Sequence, residues 1–194
     1  MMVMQHIIGL TGGIATGKTT IANAIQHHYG LTILDADHYA REAVAIGSPI
    51  LAAIVDRYGQ DLLRDDGSLN RSQLGQIIFA NTTDRLWLEA QIHPFVHQRF
   101  QEDLPSASNP VIYVVPLLFE TDAIARVQET WVVWCSPKEQ LKRLMQRNSL
   151  DEDTAQQRIQ AQMPLDLKCD RADLVLDNSG DQERWREQVR DRLG

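Results

Sequence analysis

Only two cysteines, Cys135 and Cys169, occur in the chain, and neither stands in C-x-x-C spacing. No disulfide framework or thiolate zinc site is indicated, and a reducing cytoplasm is the expected compartment. Positive charge is scarce as well. The 19 lysines and arginines against 26 aspartates and glutamates leave a net charge of -7. Extended contact with nucleic acid or an acidic membrane needs a broad cationic face, so neither is expected as a partner, and any anion must be held by a local device. Long apolar runs are missing too. The longest, VIYVVPLLF (Val111 to Phe119), is about half a membrane span, and the opening MMVMQHIIGL has neither a basic leader nor a full signal core. Secretion and membrane spanning are not expected. There is no internal repeat and no low-complexity segment.

What remains is an ordinary globular composition, 43% hydrophobic and 23% charged over 194 residues. That length suits one sizeable core with at most a small appended subdomain. Five short apolar runs are rich in β-branched residues: HIIGL (6–10), TIL (32–34), VIYVV (111–115), WVVWC (131–135) and LVL (174–176). Their apolarity is continuous rather than alternating, which predicts strands buried on both faces of an α/β fold. Helical patterns separate them. Ser136-Pro137-Lys138-Glu139 combines an N-cap serine, a proline at the first helical position and a capping-box glutamate. Ser149-x-x-Glu152, Ser48-Pro49 and Asn70-x-x-Gln73 read as further helix starts. Between the second and third strands lies a long stretch without a strand pattern, which suggests a helical insertion beside the sheet. The four tryptophans, Trp87, Trp131, Trp134 and Trp185, fall on predicted core faces and read as packing.

Four glycines, Gly9, Gly12, Gly13 and Gly17, fall within nine residues and run into Lys18, Thr19 and Thr20. Gly12-x-x-x-x-Gly17-Lys18-Thr19 fits the phosphate-binding loop pattern, placed between a predicted strand and a predicted helix as that loop requires. Glycines let successive backbone N–H groups converge on one anion, and the helix N-terminus adds partial positive charge. Lys18 then reaches the outer phosphates of a nucleotide triphosphate, and the Thr19 hydroxyl is placed for Mg²⁺. A dinucleotide fold is the main rival, but no glycines stand in G-x-G-x-x-G spacing.

Asp35 and Asp37 follow directly on the second predicted strand. In an extended chain residues two apart share a side, so both carboxylates can aim at the carboxyl edge of the sheet, where a base for phosphoryl transfer to an alcohol belongs. The plainer reading is that one of them caps a helix starting near His38. Further on, Arg143 and Arg147 are i, i+4 neighbours beside Lys142, suited to clamp ATP, although a solvated basic face would look the same. His93 and His97 are also four apart, but Pro94 follows the first and no H-E-x-x-H glutamate accompanies them, so surface or packing roles are favoured over a metal site.

GLTGGIATGKT, Asp35-Ala-Asp37, Arg71 with Leu74 and Ile78-Phe79, His93-Pro94, Pro116-Leu-Leu-Phe-Glu120, Leu141-Lys-Arg143 with Arg147, and Ala172-Asp173 with Asn178 and Gly180 together resemble the dephospho-CoA kinase family. The likeness keeps its order from Ile7 to about Gly180. It implies a five-stranded parallel sheet flanked by helices, of the P-loop nucleoside-monophosphate-kinase type. It further implies one kinase domain over 1–194: a nucleotide-binding core (1–60 and 98–194), a lid near 138–165 around Arg143 and Arg158, and an acceptor-binding helical insertion over 61–97. The implied reaction uses ATP and Mg²⁺ to phosphorylate the ribose 3'-hydroxyl of dephospho-coenzyme A, the last step of coenzyme A synthesis.

By the same resemblance Asp37 is the base, and Asp35 supports metal or acceptor. Lys18 and Arg143 complete the catalytic set. The nucleotide is held by Gly12, Gly13, Ile14, Ala15, Thr16, Gly17, Lys18, Thr19, Thr20, Arg143 and Arg147, with Thr19 on the metal. Thr11, Asp35, Asp37, Arg71, His93, Pro116 and Glu120 bind the acceptor. Two departures stand out. Ala15-Thr16 replaces the family's common Gly-Ser, which is acceptable if Ala15 avoids positive φ, and Thr19 replaces serine while keeping the hydroxyl. Rival readings are a kinase for another small alcohol or nucleoside monophosphate, and a nucleotide switch. A guanine-specific switch would want N-K-x-D where the chain has Leu167-Lys168-Cys169-Asp170. The sequence leaves oligomeric state open.

Overall fold

A computed structural model describes residues 5–194. Met1 to Met4, included in the reading of the opening stretch, and the side chain of Phe79 lie outside the described residues. The described chain divides into two compact units. One joins the stretch ending at Asp35 to Ser106–Gly194, and the other is Ala36–Pro105.

The first unit is built on β1 (Ile7–Gly12), β2 (Ile33–Asp35), β3 (Val111–Val114), β4 (Glu129–Trp134) and β5 (Leu174–Asp177). All neighbours pair in parallel, in the order β2-β3-β1-β4-β5. Each lies where a run of β-branched residues predicts a strand. Every residue of β1 and β3 is buried, as parallel strands covered on both faces require. Helix α1 (Lys18–Tyr29) packs Ile21, Ala22 and Ile25 against Ile8, Leu10, Ile112 and Val114, and Trp131 and Trp185 fill the same core. Trp185 comes from α9 (Gln182–Leu193).

The chain leaves β1 toward β2 on one side and leaves β3 toward β4 on the other, so the carboxyl ends of the neighbours β1 and β3 open a crevice at the switch point. The loop after β1 sits in that crevice. Among the described residues, no helix is long and apolar enough to cross a membrane.

The second unit contains α2 (Ala36–Ala43), α3 (Pro49–Tyr58), α4 (Arg71–Ala80) and α5 (Thr82–Asp103). Its own core gathers Val44, Leu51, Ile54, Leu62, Leu69, Leu74 and Leu88. Two of the predicted caps are in place: Ser48 accepts from the Leu51 N–H, and Asn70 from the Gln73 N–H. The unit is wider than the 61–97 insertion expected from sequence. Tyr39 of α2 donates its hydroxyl to Asp103 at 2.7 Å, and Arg99 Nε donates to Glu42 at 3.1 Å, which ties α2 to the C-terminal end of α5 within the unit Ala36–Pro105.

The remaining helices of the first unit are α6 (Pro137–Asn148), α7 (Glu152–Gln160) and α8 (Leu165–Cys169). Ser136 caps α6 as predicted, accepting from the Glu139 N–H. Ser149 does not open α7. It closes α6 with φ 51°, and Asp151 accepts from the Thr154 N–H instead, because a carboxylate one position before the helix reaches that amide.

Candidate active site

The loop after β1 turns at Gly12 (φ 150°) and Gly17 (φ 101°). A Cβ on Gly12 would meet the Val133 carbonyl at 2.5 Å, and one on Gly17 would run into the Asn178 amide, so both positions need glycine for space as well as for angle. Ala15 lies at φ 61°, so the condition under which alanine suits that position is not met: the loop takes a left-handed residue at 15 and bears the strain of a Cβ. Its neighbours over-determine it. Gln140 Nε2 donates to the Ile14 carbonyl at 2.9 Å, and Asn178 Nδ2 to the Thr16 carbonyl at 2.8 Å.

The held carbonyls orient the loop. In a planar trans peptide the carbonyl and the following N–H point in opposite directions. Fixing the Ile14 and Thr16 carbonyls therefore turns the Ala15 and Gly17 N–H groups away from Gln140 and Asn178, toward the hollow of the loop. Lys18 Nζ lies across the Gly12 and Gly13 carbonyls at 3.1 and 2.8 Å, and the Thr16 hydroxyl donates to Gly13 at 3.0 Å. Thr19 and Thr20 are exposed in the first turn of α1. The resulting nest of inward amides at a helix N-terminus, with a lysine beside it, is an anion site.

Arg143 reaches this loop from α6. Its Nη2 donates to the Asn178 carbonyl at 2.9 Å, its Nη1 lies 3.5 Å from the Thr16 carbonyl, and its Nε donates to Glu139 at 2.9 Å. Arg147 is exposed and donates to Asn148, away from the loop. Gln162, between α7 and α8, was not singled out from sequence. Its Oε1 accepts from the Ile14 N–H at 2.8 Å, an amide of the nest itself.

Thr11, Pro116 and Glu120 are brought together, and the residue joining them is one the sequence reading missed. Lys168 is fully buried. Its Nζ donates to Glu120 at 2.8 Å and to the Pro116 carbonyl at 3.0 Å, and Thr11 Oγ1 donates to the same carbonyl at 3.1 Å. Glu120 also accepts from the Met163 N–H at 3.3 Å. The stretch that offers Leu-Lys-Cys-Asp in place of a guanine-reading motif therefore spends its lysine on an internal clamp. Gln140, Lys168 and Asn178 are all buried polar residues, and burial is the signal that would have marked them.

Asp35 ends β2 opposite Val114, at the carboxyl edge of the sheet. Asp37 lies in the first turn of α2, exposed. Since α2 begins at Ala36, the direction of the two carboxylates is set by a strand-to-helix junction and not by strand alternation, and the helix starts two residues before His38. In the helical unit, His93 and His97 lie on α5, which continues through Pro94, and His93 is exposed. Arg71 is the first residue of α4, and its Nη2 donates to the Arg41 carbonyl at 3.2 Å. Burial pushes the Cys135 thiol above its ordinary value, and pushes Cys169 to about 11, so neither is a reactive thiolate near neutrality.

The sequence profile described as dephospho-CoA kinase matches residues 6–184. A dephospho-CoA kinase of Trichormus variabilis is 53% identical over 186 residues, covering 95% of each chain. The dephospho-CoA kinase of Campylobacter jejuni, a solved structure, aligns at TM-score 0.68 with 26% identity over 98% of this chain and 96% of that one. A crystal structure of a Thermus thermophilus protein aligns at TM-score 0.82 with 30% identity over 97% and 96%.

Proposed function

The chain belongs to the dephospho-CoA kinase family, and we propose that it transfers the γ-phosphoryl group of ATP to the ribose 3'-hydroxyl of dephospho-coenzyme A, giving coenzyme A and ADP. The observation that carries the proposal is the phosphate loop, whose Ile14 and Thr16 carbonyls are tied back by Gln140 and Asn178 and whose following amides are thereby turned the other way, as an anion site requires, in a chain matching that family over residues 6–184.

On this reading Gly12 to Thr20 enclose the β-phosphate. Lys18 exchanges the Gly12 and Gly13 carbonyls for phosphate oxygens, and Arg143 meets the charge that spreads over the transferred group. The Thr19 hydroxyl, exposed beside the nest, fits the single protein ligand that Mg²⁺ usually takes in such sites, phosphates and water supplying the rest. When bound, the ion neutralises charge between the β and γ phosphates. Asp37 accepts the proton of the 3'-hydroxyl as its oxygen bonds to phosphorus, and Asp35 orients the acceptor from the end of β2. The helical unit, with Arg71 and His93, holds the acceptor. The helices near 138–165 act as the lid, with Arg147 on the nucleotide side once closed, and exclude water from the γ-phosphate. Thr11, Pro116 and Glu120 also serve the acceptor. Two thiols without a disulfide and the absence of a membrane-crossing helix among the described residues support a cytoplasmic site of action.

An assay coupled to 3'-phosphorylated product, with dephospho-coenzyme A, AMP and a sugar acid as rival acceptors, tests the reading. Transfer to dephospho-coenzyme A is expected to dominate. Asp37→Asn is expected to keep ADP affinity and to lose at least about a hundredfold in turnover, the scale of general-base catalysis. Near-normal turnover would remove Asp37 as the base.

A further inference from the structure

Six arginines lie in the helical unit, and they divide into two kinds. Arg57 is paired with Asp84, Arg85 with Glu89, and Arg99 with Glu42, Glu102 and Asp103. Arg41, Arg64 and Arg71 make no ion pair among the described residues. The fold nevertheless collects these three. Arg71 Nη2 donates to the carbonyl of Arg41, in the last turn of α2. Arg64 stands at the mouth of a short loop closed by the Leu63–Leu69 bridge, where its N–H donates to the Ser68 carbonyl at 2.8 Å and the Asn70 N–H donates to the Leu62 carbonyl at 2.7 Å. That closure returns Arg64 to the start of α4, where Arg71 sits.

The cost of this arrangement shows on Arg71. Burial first, and then the charges of Arg41 and Arg64, push its guanidinium below its ordinary value. No acid in the first turn of α4 offsets them. Asp66, next but one to Arg64, turns its carboxylate to the Ser68 N–H at 2.9 Å and closes its own loop. A chain with a net charge of -7 has carboxylates to spare, yet among the described residues none forms an ion pair with these three cations, and only Arg64 feels one, through the pull of its charge on Asp66. Such a cluster is completed by a bound anion, and the planar fork of arginine suits phosphate oxygens in particular.

We propose that Arg41, Arg64 and Arg71 form a clamp for the diphosphate bridge of the acceptor, an inference that rests on the kinase reading above. In dephospho-coenzyme A the diphosphate is the only charged group, so a cationic cluster in the acceptor-binding unit has one feature to recognise. The clamp fixes the adenosine end by its 5' side and leaves the 3'-hydroxyl free to react.

Steady-state kinetics of the full chain test this with wild type, R41Q, R64Q and R41Q/R64Q. Dephospho-coenzyme A is varied at saturating ATP, and ATP at saturating acceptor. In the double variant the KM for dephospho-coenzyme A is expected to rise at least about tenfold, outweighing any fall in kcat, while the KM for ATP moves less than about twofold. Between about 50 and about 300 mM KCl the wild-type acceptor KM should climb more steeply than that of the variant. R41K/R64K, which keeps charge but loses the fork, should recover part of the affinity and guards against a folding artefact. An acceptor KM that is unchanged, or that rises no more than the KM for ATP, overturns the clamp and leaves the kinase reading standing. Failure of the wild type to phosphorylate dephospho-coenzyme A at all removes both.

Discussion

Ala15 shows how the phosphate loop is held against local preference. A left-handed backbone costs a residue with a Cβ about 1–2 kcal/mol, and the φ of 61° persists because Gln140 and Asn178 grip the carbonyls on either side. Ala15→Gly relieves that strain but adds about 0.5–1 kcal/mol of unfolded-state freedom. The net expectation is a gain of up to about 1.5 kcal/mol, read as a higher denaturant midpoint with an unchanged m-value. A lower midpoint would contradict strain at this position. Lys168 makes the complementary point: a cation with no exposed surface is tolerable because Glu120 and the Pro116 carbonyl both meet it.

The segment joining α7 to α8 is tied at two consecutive residues, Gln162 to the phosphate loop and Met163 to Glu120. Gln162 Oε1 fills the place a phosphate oxygen would take on the Ile14 N–H, so nucleotide must displace it. Removing such an internal competitor is worth about 0.5–1.5 kcal/mol. Gln162→Ala is therefore expected to tighten ADP binding by roughly twofold to tenfold in calorimetry, and weaker binding would show that the carboxamide assists the nucleotide instead. The elements themselves were largely legible in the sequence. Strands buried on both faces leave continuous apolar runs, and the phosphate loop is written in eight consecutive residues. What was not legible depends on distant partners. Gln140, Gln162 and Asn178 meet the loop across 126, 148 and 162 residues, and of the three only Asn178 was marked beforehand, by the family resemblance and without its partner. The helical unit was drawn too narrowly for the same reason, since only the ties from Tyr39 and Glu42 to the end of α5 reveal that α2 belongs to it.

At the scale of the whole molecule, one carboxylate secures the first unit from below. Glu129 Oε1 accepts from Trp131 Nε1 and Arg192 Nε, both at 2.6 Å, and its Oε2 lies 3.2 Å from His6 Nε2, joining β4, α9 and the approach to β1. Burial pushes this carboxyl up, but the hydrogen bonds from Arg192, Trp131 and His6 outweigh burial and hold it below its ordinary 4.5. Hydrogen bonds from the Thr130 hydroxyl and N–H likewise hold Asp173 below 3.8. A carboxyl depressed by folding stabilises the fold above its unfolded value, and the contribution is lost as pH falls through the folded value. Stability is therefore expected to decline below about pH 4.5, and Glu129→Gln to flatten that decline in urea titrations at successive pH. An unchanged slope would show that Glu129 contributes nothing to it.

The strand order has a consequence for how the chain is made. Among the described residues β1 pairs with β3 and β4, and β2 pairs only with β3, so the first two strands are not partners of each other. A nascent polypeptide emerging from the ribosome thus exposes two apolar segments with no mate until translation has passed Val114. By then the helices of Ala36–Pro105 have all been synthesised and can bury their own leucines first. The nucleotide cradle, whose loop is made before every strand but β1, can be completed only after Gln140, Gln162 and Asn178 have followed it.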